Sequence, residues 1–127
     1  APLTPETRGL IDARAVAAMR PGMLLVNTAR GPVVDLDALL DGLRSERIWA
    51  AGLDVLPQEP PDPAHPLLAA WRKKESWIKG RLILTPHAAF YSAESIADIR
   101  RKGMETVMLR LREGKLRSCV NQDFLKA

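Results

Sequence analysis

Residues 23–55, MLLVNTARGPVVDLDALLDGLRSERIWAAGLDV, decide the architecture. Met23 to Val26 form a short unbroken apolar run, the pattern of a strand buried on both faces. Asp35 offers a side-chain cap for a helix. Leu36, Leu39, Leu40 and Leu43 then fall at i, i+3, i+4 and i+7, one apolar stripe on a helix expected to end near Arg47. Ala50 to Val55 read as a second buried strand. Two apolar strands joined by one amphipathic helix make a parallel unit, because parallel neighbours need a crossover connection.

The same rhythm extends outward. Asp12 is placed to cap a helix through Met19, with Ala15, Val16, Ala18 and Met19 as its small apolar surface, and Pro21-Gly22 ends it. The proline-dense stretch from Pro57 to Pro66 is expected to be loop. Leu82 to Leu84 give a third short strand, closed by Thr85-Pro86. Ser92 caps a long helix with Ile96, Ile99, Gly103, Val107 and Leu111 roughly on one side, ending near Gly114. Three strands leave apolar edges and faces uncovered. The expected fold is therefore α/β, part of a larger doubly wound parallel sheet. A start at Ala1-Pro2-Leu3, without Met, raises the same expectation of sequence upstream.

Bulk properties narrow the function classes. The chain has 127 residues, enough for one domain or a piece of one, and its 46% apolar content is too high for a disordered segment. No run approaches the roughly 18 apolar residues that span a bilayer. One cysteine, Cys119, excludes an internal disulfide and fits a reducing, cytoplasmic setting. His65 and His87 have neither cysteine nor acidic clusters beside them, so zinc-type ligand spacing is absent. The net charge is +4, and Arg100 to Arg117 hold seven basic residues against two acidic ones. That run suits a solvated helix face; direct nucleic-acid binding is not expected, since no aromatic interleaving or nucleic-acid motif accompanies it.

Three segments stand where a strand ends and a loop begins: Asn27 to Gly31, Asp54 to Glu59, and Thr85 to His87. Ligands of open parallel sheets bind outside the carboxyl ends of the strands. Arg30 offers a planar fork for a carboxylate. An arginine there, taken alone, is more often a surface ion-pair partner, and a lone loop glutamate such as Glu59 is usually solvated. His87 alone is more often structural. Together they supply a carboxylate anchor, a charge partner and a proton carrier, which suits hydride exchange at a carbon next to a carboxylate.

The wording around these residues resembles the D-isomer-specific 2-hydroxyacid dehydrogenase family. Pro2 to Gly9 resembles its PLTPETRG segment, Asn27 to Gly31 its NTARG, Ala51 to Val55 with Glu59-Pro60 its AGLDV…EP, and Thr85 to His87 its TPH. The matches run in order from residue 1 to about residue 91. His87 to Ser92 and Cys119 to Asn121 are closest in wording to the branch containing the C-terminal binding proteins, corepressors that retain the dehydrogenase fold.

The resemblance implies a Rossmann-type fragment of an NAD-dependent oxidoreductase (NADP not excluded) acting on small D-2-hydroxy or 2-keto acids, dimeric when whole. It implies that Arg30 binds the substrate carboxylate, that His87 is the general acid–base, and that Glu59 orients His87 and raises its pKa. Asp54 would contact the nicotinamide end of the cofactor, lined by Thr28, Ala29, Arg30 and His87, Ala88, Ala89 and Phe90. Pro2, Leu3 and Thr7 would lie near the adenosine side. Residues 1–91 would be the C-terminal part of the NAD-binding domain, an incomplete Rossmann-type doubly wound parallel sheet. Residues 92–127 would form a crossover helix and a tail, Arg117 to Phe124, returning to a substrate domain. Alternatives are an NAD(H)-binding corepressor-like protein without turnover and an inactive remnant.

Two departures stand out. No glycine-rich pyrophosphate turn occurs in these residues, and neither does the residue that would choose NAD over NADP, so the fragment alone is expected to bind dinucleotide weakly. Ala69 to Arg81 is also longer than the usual connection before TPH. Trp71, Trp77 and Ile78 could build a lid or partner surface there; local packing is the simpler expectation.

Overall fold

Long and branched apolar side chains build three strands, β1 (Met23–Asn27), β2 (Ile48–Leu53) and β3 (Leu82–Leu84). They pair in parallel in the order β1-β2-β3 in a computed structural model that describes residues 1–121. Its helices are α1 (Ala13–Ala18), α2 (Leu36–Arg44), α3 (Pro66–Arg72) and α4 (Ala93–Glu113). The chain divides into two units, Ala1–Ala89 and Phe90–Ala127.

In the first unit the sheet packs on one face only. Val16 of α1, Leu39 and Leu43 of α2, and Leu67 and Ala70 of α3 cluster with Ala51, Leu53 and Leu82 of the sheet, with Leu25 against them. Leu39, Leu43, Ile48 and Leu67 are fully buried, each contributing about 1.5–3 kcal/mol through the apolar surface it withdraws from water. The register places Val26, Gly52 and Ile83 in one row on the opposite face. There Leu24, Val26 and Ile83 are 68%, 73% and 65% exposed. The expectation that Met23 to Val26 would be buried on both faces is corrected: α1, α2 and α3 all contribute to a single cluster, so only alternate strand residues reach it.

The helix signals hold, with shifted ends. Asp12 Oδ1 accepts the Ala15 amide at 2.8 Å, and Asp35 Oδ1 accepts those of Asp37 and Ala38 at 2.8 and 3.0 Å. Helix α2 stops at Arg44, short of Arg47. Ser45 turns its amide and its hydroxyl onto the Asp41 carbonyl at 2.9 and 2.7 Å, and Glu46 follows with a left-handed φ of 58°. Strand β2 begins at Ile48, ahead of the expected Ala50, because Ile48 pairs with Met23.

Pro66 is not loop. It opens α3, where a missing N–H costs nothing, and His65 Nδ1 caps the helix by accepting the Leu67 amide at 3.2 Å. The connection from Ala69 to Arg81 packs locally: Ile78 is 1% exposed and Trp71 Nε1 donates to the Leu82 carbonyl at 3.1 Å.

In the second unit Ser92 Oγ caps α4 through the Ser95 amide at 3.0 Å, and Gly114 ends it at a φ of 68°. Part of the basic run is internally paired, Arg101 with Asp98 and Glu105 and Lys102 with Asp98, as a solvated helix face requires. The tail expected from Arg117 to Phe124 lies partly outside the described residues. No helix among the described residues is long and apolar enough to cross a membrane.

Candidate active site

Because the strands are parallel, each delivers its following loop to the same rim. Strand β1 ends in Asn27, whose side chain is buried and polar and therefore must find partners. Its Nδ2 donates to the Arg30 carbonyl at 2.9 Å and its Oδ1 accepts the Ala29 amide at 3.0 Å, closing the Thr28–Arg30 loop into a fixed turn. Arg30 is exposed, and its Nη1 donates to the Ala29 carbonyl at 2.6 Å. No carboxylate of the described residues forms an ion pair with it.

Gly31 lets this loop touch the next. A Cβ there would stand 2.0 Å from both the carbonyl carbon and oxygen of Leu56 and 2.5 Å from the Pro57 nitrogen. Only glycine allows backbone to lie on backbone at that distance.

Strand β2 leads into Asp54, which is 6% exposed. Its Oδ1 accepts the Thr85 hydroxyl at 2.5 Å and the Ala88 amide at 2.9 Å, and its Oδ2 accepts the Ala89 amide at 2.9 Å. The Thr85 hydroxyl, followed by the Ala89 amide, holds the Asp54 pKa below its ordinary value. Further along, Glu59 Oε1 accepts the Leu56 amide at 2.9 Å and Oε2 lies 2.8 Å from His87 Nδ1. The His87 bond and then the Leu56 amide likewise lower the Glu59 pKa.

Strand β3 runs into Thr85, Pro86 and His87. His87 adopts a left-handed φ of 53°, uncommon for a residue with a side chain, and its amide donates to the Asp54 carbonyl at 2.8 Å. The three expected residues come together. Arg30, Glu59 and His87 line one cleft of about 170 Å³ with Gly31, Leu56 and Pro57. Glu59 and His87 also border a second cleft of about 390 Å³, walled by Leu56, Pro61, Trp71, Leu84 and Pro86.

Other expected positions fall in different places. Thr28 and Ala29 sit on the turn braced by Asn27, and Ala88 and Ala89 spend their amides on Asp54. Pro2, Leu3 and Thr7 border neither cleft. They form a turn in which Thr7 Oγ1 donates to the Pro2 carbonyl at 2.7 Å, while the Gly9 amide ties the segment to the Pro32 carbonyl at 2.8 Å. Phe90 belongs to the second unit, 53% exposed and edge-on to Tyr91. The other histidine, His65, is occupied as a helix cap with Nε2 3.3 Å from Asp37, and no group of three metal-ligating side chains occurs among the described residues.

The donor set suits the nicotinamide end of a dinucleotide. Asp54 Oδ2 receives one hydrogen bond and keeps further acceptor capacity, and Thr28, Ala88 and Ala89 are exposed beside strand ends. The pyrophosphate end has no glycine-rich turn in these residues.

The family model for the D-isomer-specific 2-hydroxyacid dehydrogenase NAD-binding domain matches residues 1–89. The chain belongs to that family. It is 41% identical over 95 residues to a glycerate dehydrogenase of Methylorubrum extorquens, covering 75% of this chain and 28% of the relative. Among solved structures, the NAD-complexed D-isomer-specific 2-hydroxyacid dehydrogenase of Lactobacillus delbrueckii ssp. bulgaricus matches with a TM-score of 0.73 and 31% identity, over 95% of this chain and 38% of that one. A family member from Xanthobacter autotrophicus, in complex with NADPH and MES, matches with a TM-score of 0.68 and 37% identity over 91% and 43% of the two chains. The chain spans between 16% and 33% of the length of the curated relatives it matches.

In this 2-hydroxyacid dehydrogenase domain, sequence reasoning placed Asn27, Gly31 and Thr85 on the rim but gave them no role in shaping the site. A buried asparagine closing an apolar strand was the available signal for Asn27. Nothing local marks Gly31, since its need arises from a loop met only in three dimensions.

Proposed function

We propose that the intact protein transfers a hydride between a nicotinamide dinucleotide and a small 2-hydroxy or 2-keto acid. One observation carries this reading: a histidine bonded to a carboxylate shares a cleft with an arginine that no carboxylate of the described residues neutralises. Arg30 anchors the substrate carboxylate through parallel N–H bonds and polarises the neighbouring carbonyl. Glu59 Oε2 holds His87 Nδ1 at 2.8 Å, leaving Nε2 to give a proton to the keto oxygen. In the opposite direction the same nitrogen takes the hydroxyl proton.

A nicotinamide bound at the rim supplies or accepts the hydride. Asp54 Oδ2, Thr28, Ala29 and the backbone from His87 to Ala89 are the groups assigned to hold it, with Pro2, Leu3 and Thr7 on the adenosine side; Phe90, in the second unit, is assigned by the resemblance alone. NAD is the expected cofactor; the two matched complexes named above contain NAD and NADPH. The helix α4 and the tail lead to a substrate domain, and the whole protein is read as a cytoplasmic homodimer, both on the strength of the family.

The test uses the full-length protein, NADH or NADPH oxidation being followed with a panel of 2-keto acids. Turnover on at least one acid is expected, with His87→Gln lowering kcat about 100-fold or more while cofactor affinity holds. Dinucleotide binding without turnover on any acid, or an unchanged His87→Gln enzyme, would overturn it.

A further inference from the structure

Left-handed backbone at a histidine needs something to hold it. The turn that carries His87 is gripped by one buried carboxylate, that of Asp54, which takes the Thr85 hydroxyl before the histidine and the Ala88 and Ala89 amides after it. We propose that Thr85 is a positioning residue for His87, acting through the Asp54 carboxylate; the idea rests on the acid–base role proposed above.

The Asp54 carboxylate is oriented by what its oxygens accept, Oδ1 the Thr85 hydroxyl and the Ala88 amide and Oδ2 the Ala89 amide. The turn has a backbone tie of its own, the His87 amide to the Asp54 carbonyl at 2.8 Å, whereas the two amides on the carboxylate come from the turn itself and give that carboxylate no outside reference. Thr85 gives one. Its amide is tied to the sheet through the Leu53 carbonyl at 3.0 Å, and its hydroxyl meets Oδ1 at 2.5 Å. The sheet thus sets Thr85, Thr85 sets the carboxylate plane, and that plane sets the turn presenting His87 Nδ1 to Glu59 at 2.8 Å. Asp54 and Glu59 are the acidic groups facing this turn, and Arg30 is the basic group sharing the cleft. Valine has the shape of threonine without the hydroxyl, so Thr85→Val removes the reference and little else; Thr85→Ser returns it.

The full-length protein is the material for the test, with three readouts: the low-field proton resonance of a hydrogen-bonded His87 Nδ1–H, steady-state kinetics, and Tm. Wild type and Thr85→Ser should show the resonance. Thr85→Val should lose it, with kcat down about tenfold or more and KM for the keto acid within about twofold. A Thr85→Val protein that keeps the resonance and kcat, even with a lowered Tm, would overturn the proposal. Thr85→Ala serves in its place if the valine variant does not fold. Should wild type reduce no keto acid, the catalytic reading fails while the resonance still decides the positioning role.

Discussion

Glu59 divides its carboxylate between two partners, with Oε2 2.8 Å from His87 Nδ1 and Oε1 accepting the Leu56 amide at 2.9 Å. The second bond keeps the first in line, since a carboxylate held at one oxygen by backbone cannot swing away from the ring. Glutamine preserves the shape and removes the charge. Without that charge the protonated imidazole loses its stabilising partner. Glu59→Gln is therefore expected to lower kcat for keto-acid reduction about 10- to 100-fold near pH 7. Steady-state kinetics on both proteins check it; an unchanged kcat would remove Glu59 from the proton transfer.

Gly31 presses against the carbonyl of Leu56 and the nitrogen of Pro57, all backbone. A methyl group cannot be accommodated by a side-chain rotation there, so the two loops must part. Gly31→Ala should cost about 1–3 kcal/mol or more. It should also separate Arg30 from Glu59 and His87, raising KM for the keto acid along with lowering kcat. Chemical denaturation and kinetics of the variant provide the check. Stability and KM both near wild type would mean that the loops tolerate separation.

The strands, the caps at Asp12, Asp35 and Ser92, and the meeting of Arg30, Glu59 and His87 at one rim were legible from periodicity and from strand-end placement. What stayed hidden was contact-dependent. Pro66 looked like part of a proline-dense loop because the capping nitrogen of His65 is visible only once the chain has turned. The open face of β1 was unreadable because Leu24 and Val26 are as apolar as Leu25, and nothing in a run of identical character says which side finds a helix. Gly31 and Thr85 belong to the same class, since their partners lie on the neighbouring strand and its loop.

Asp54 and Glu59 both have folded-state pKa values below ordinary ones. A depressed carboxylate binds fewer protons folded than unfolded, so it adds stability above its unfolded pKa and loses it as pH falls through the folded value. The unfolded values are about 3.9 for Asp and 4.3 for Glu, so the stabilisation should be fully present near neutrality and fade below about pH 4. Asp54→Asn should consequently be less stable than wild type at pH 7, with the gap narrowing as the pH drops toward 3. Thermal melts across that range test this. A constant gap would assign the effect of Asp54 to packing rather than charge.

Arg81 ends the long connection before β3 and works as a many-armed staple. Its Nε donates to the Trp49 carbonyl at 2.6 Å, Nη1 to the Trp77 carbonyl at 2.9 Å, and Nη2 to the carbonyls of Leu43 and Ile48 at 2.9 and 3.2 Å. Its plane also lies over the Trp49 ring, 4.8 Å from the centroid. These carbonyls belong to the end of α2, the start of β2 and the connection itself. Lysine keeps the charge but offers three donors from a single point and no flat face. It cannot reach carbonyls spread around a plane. Arg81→Lys is expected to lose about 1–3 kcal/mol, the worth of one or more charge-assisted bonds to buried carbonyls. Its kcat should hold, because Arg81 borders neither cleft of the site. Denaturant midpoints paired with kinetics separate the two effects. A large loss of kcat at full stability would place Arg81 in the catalytic geometry instead.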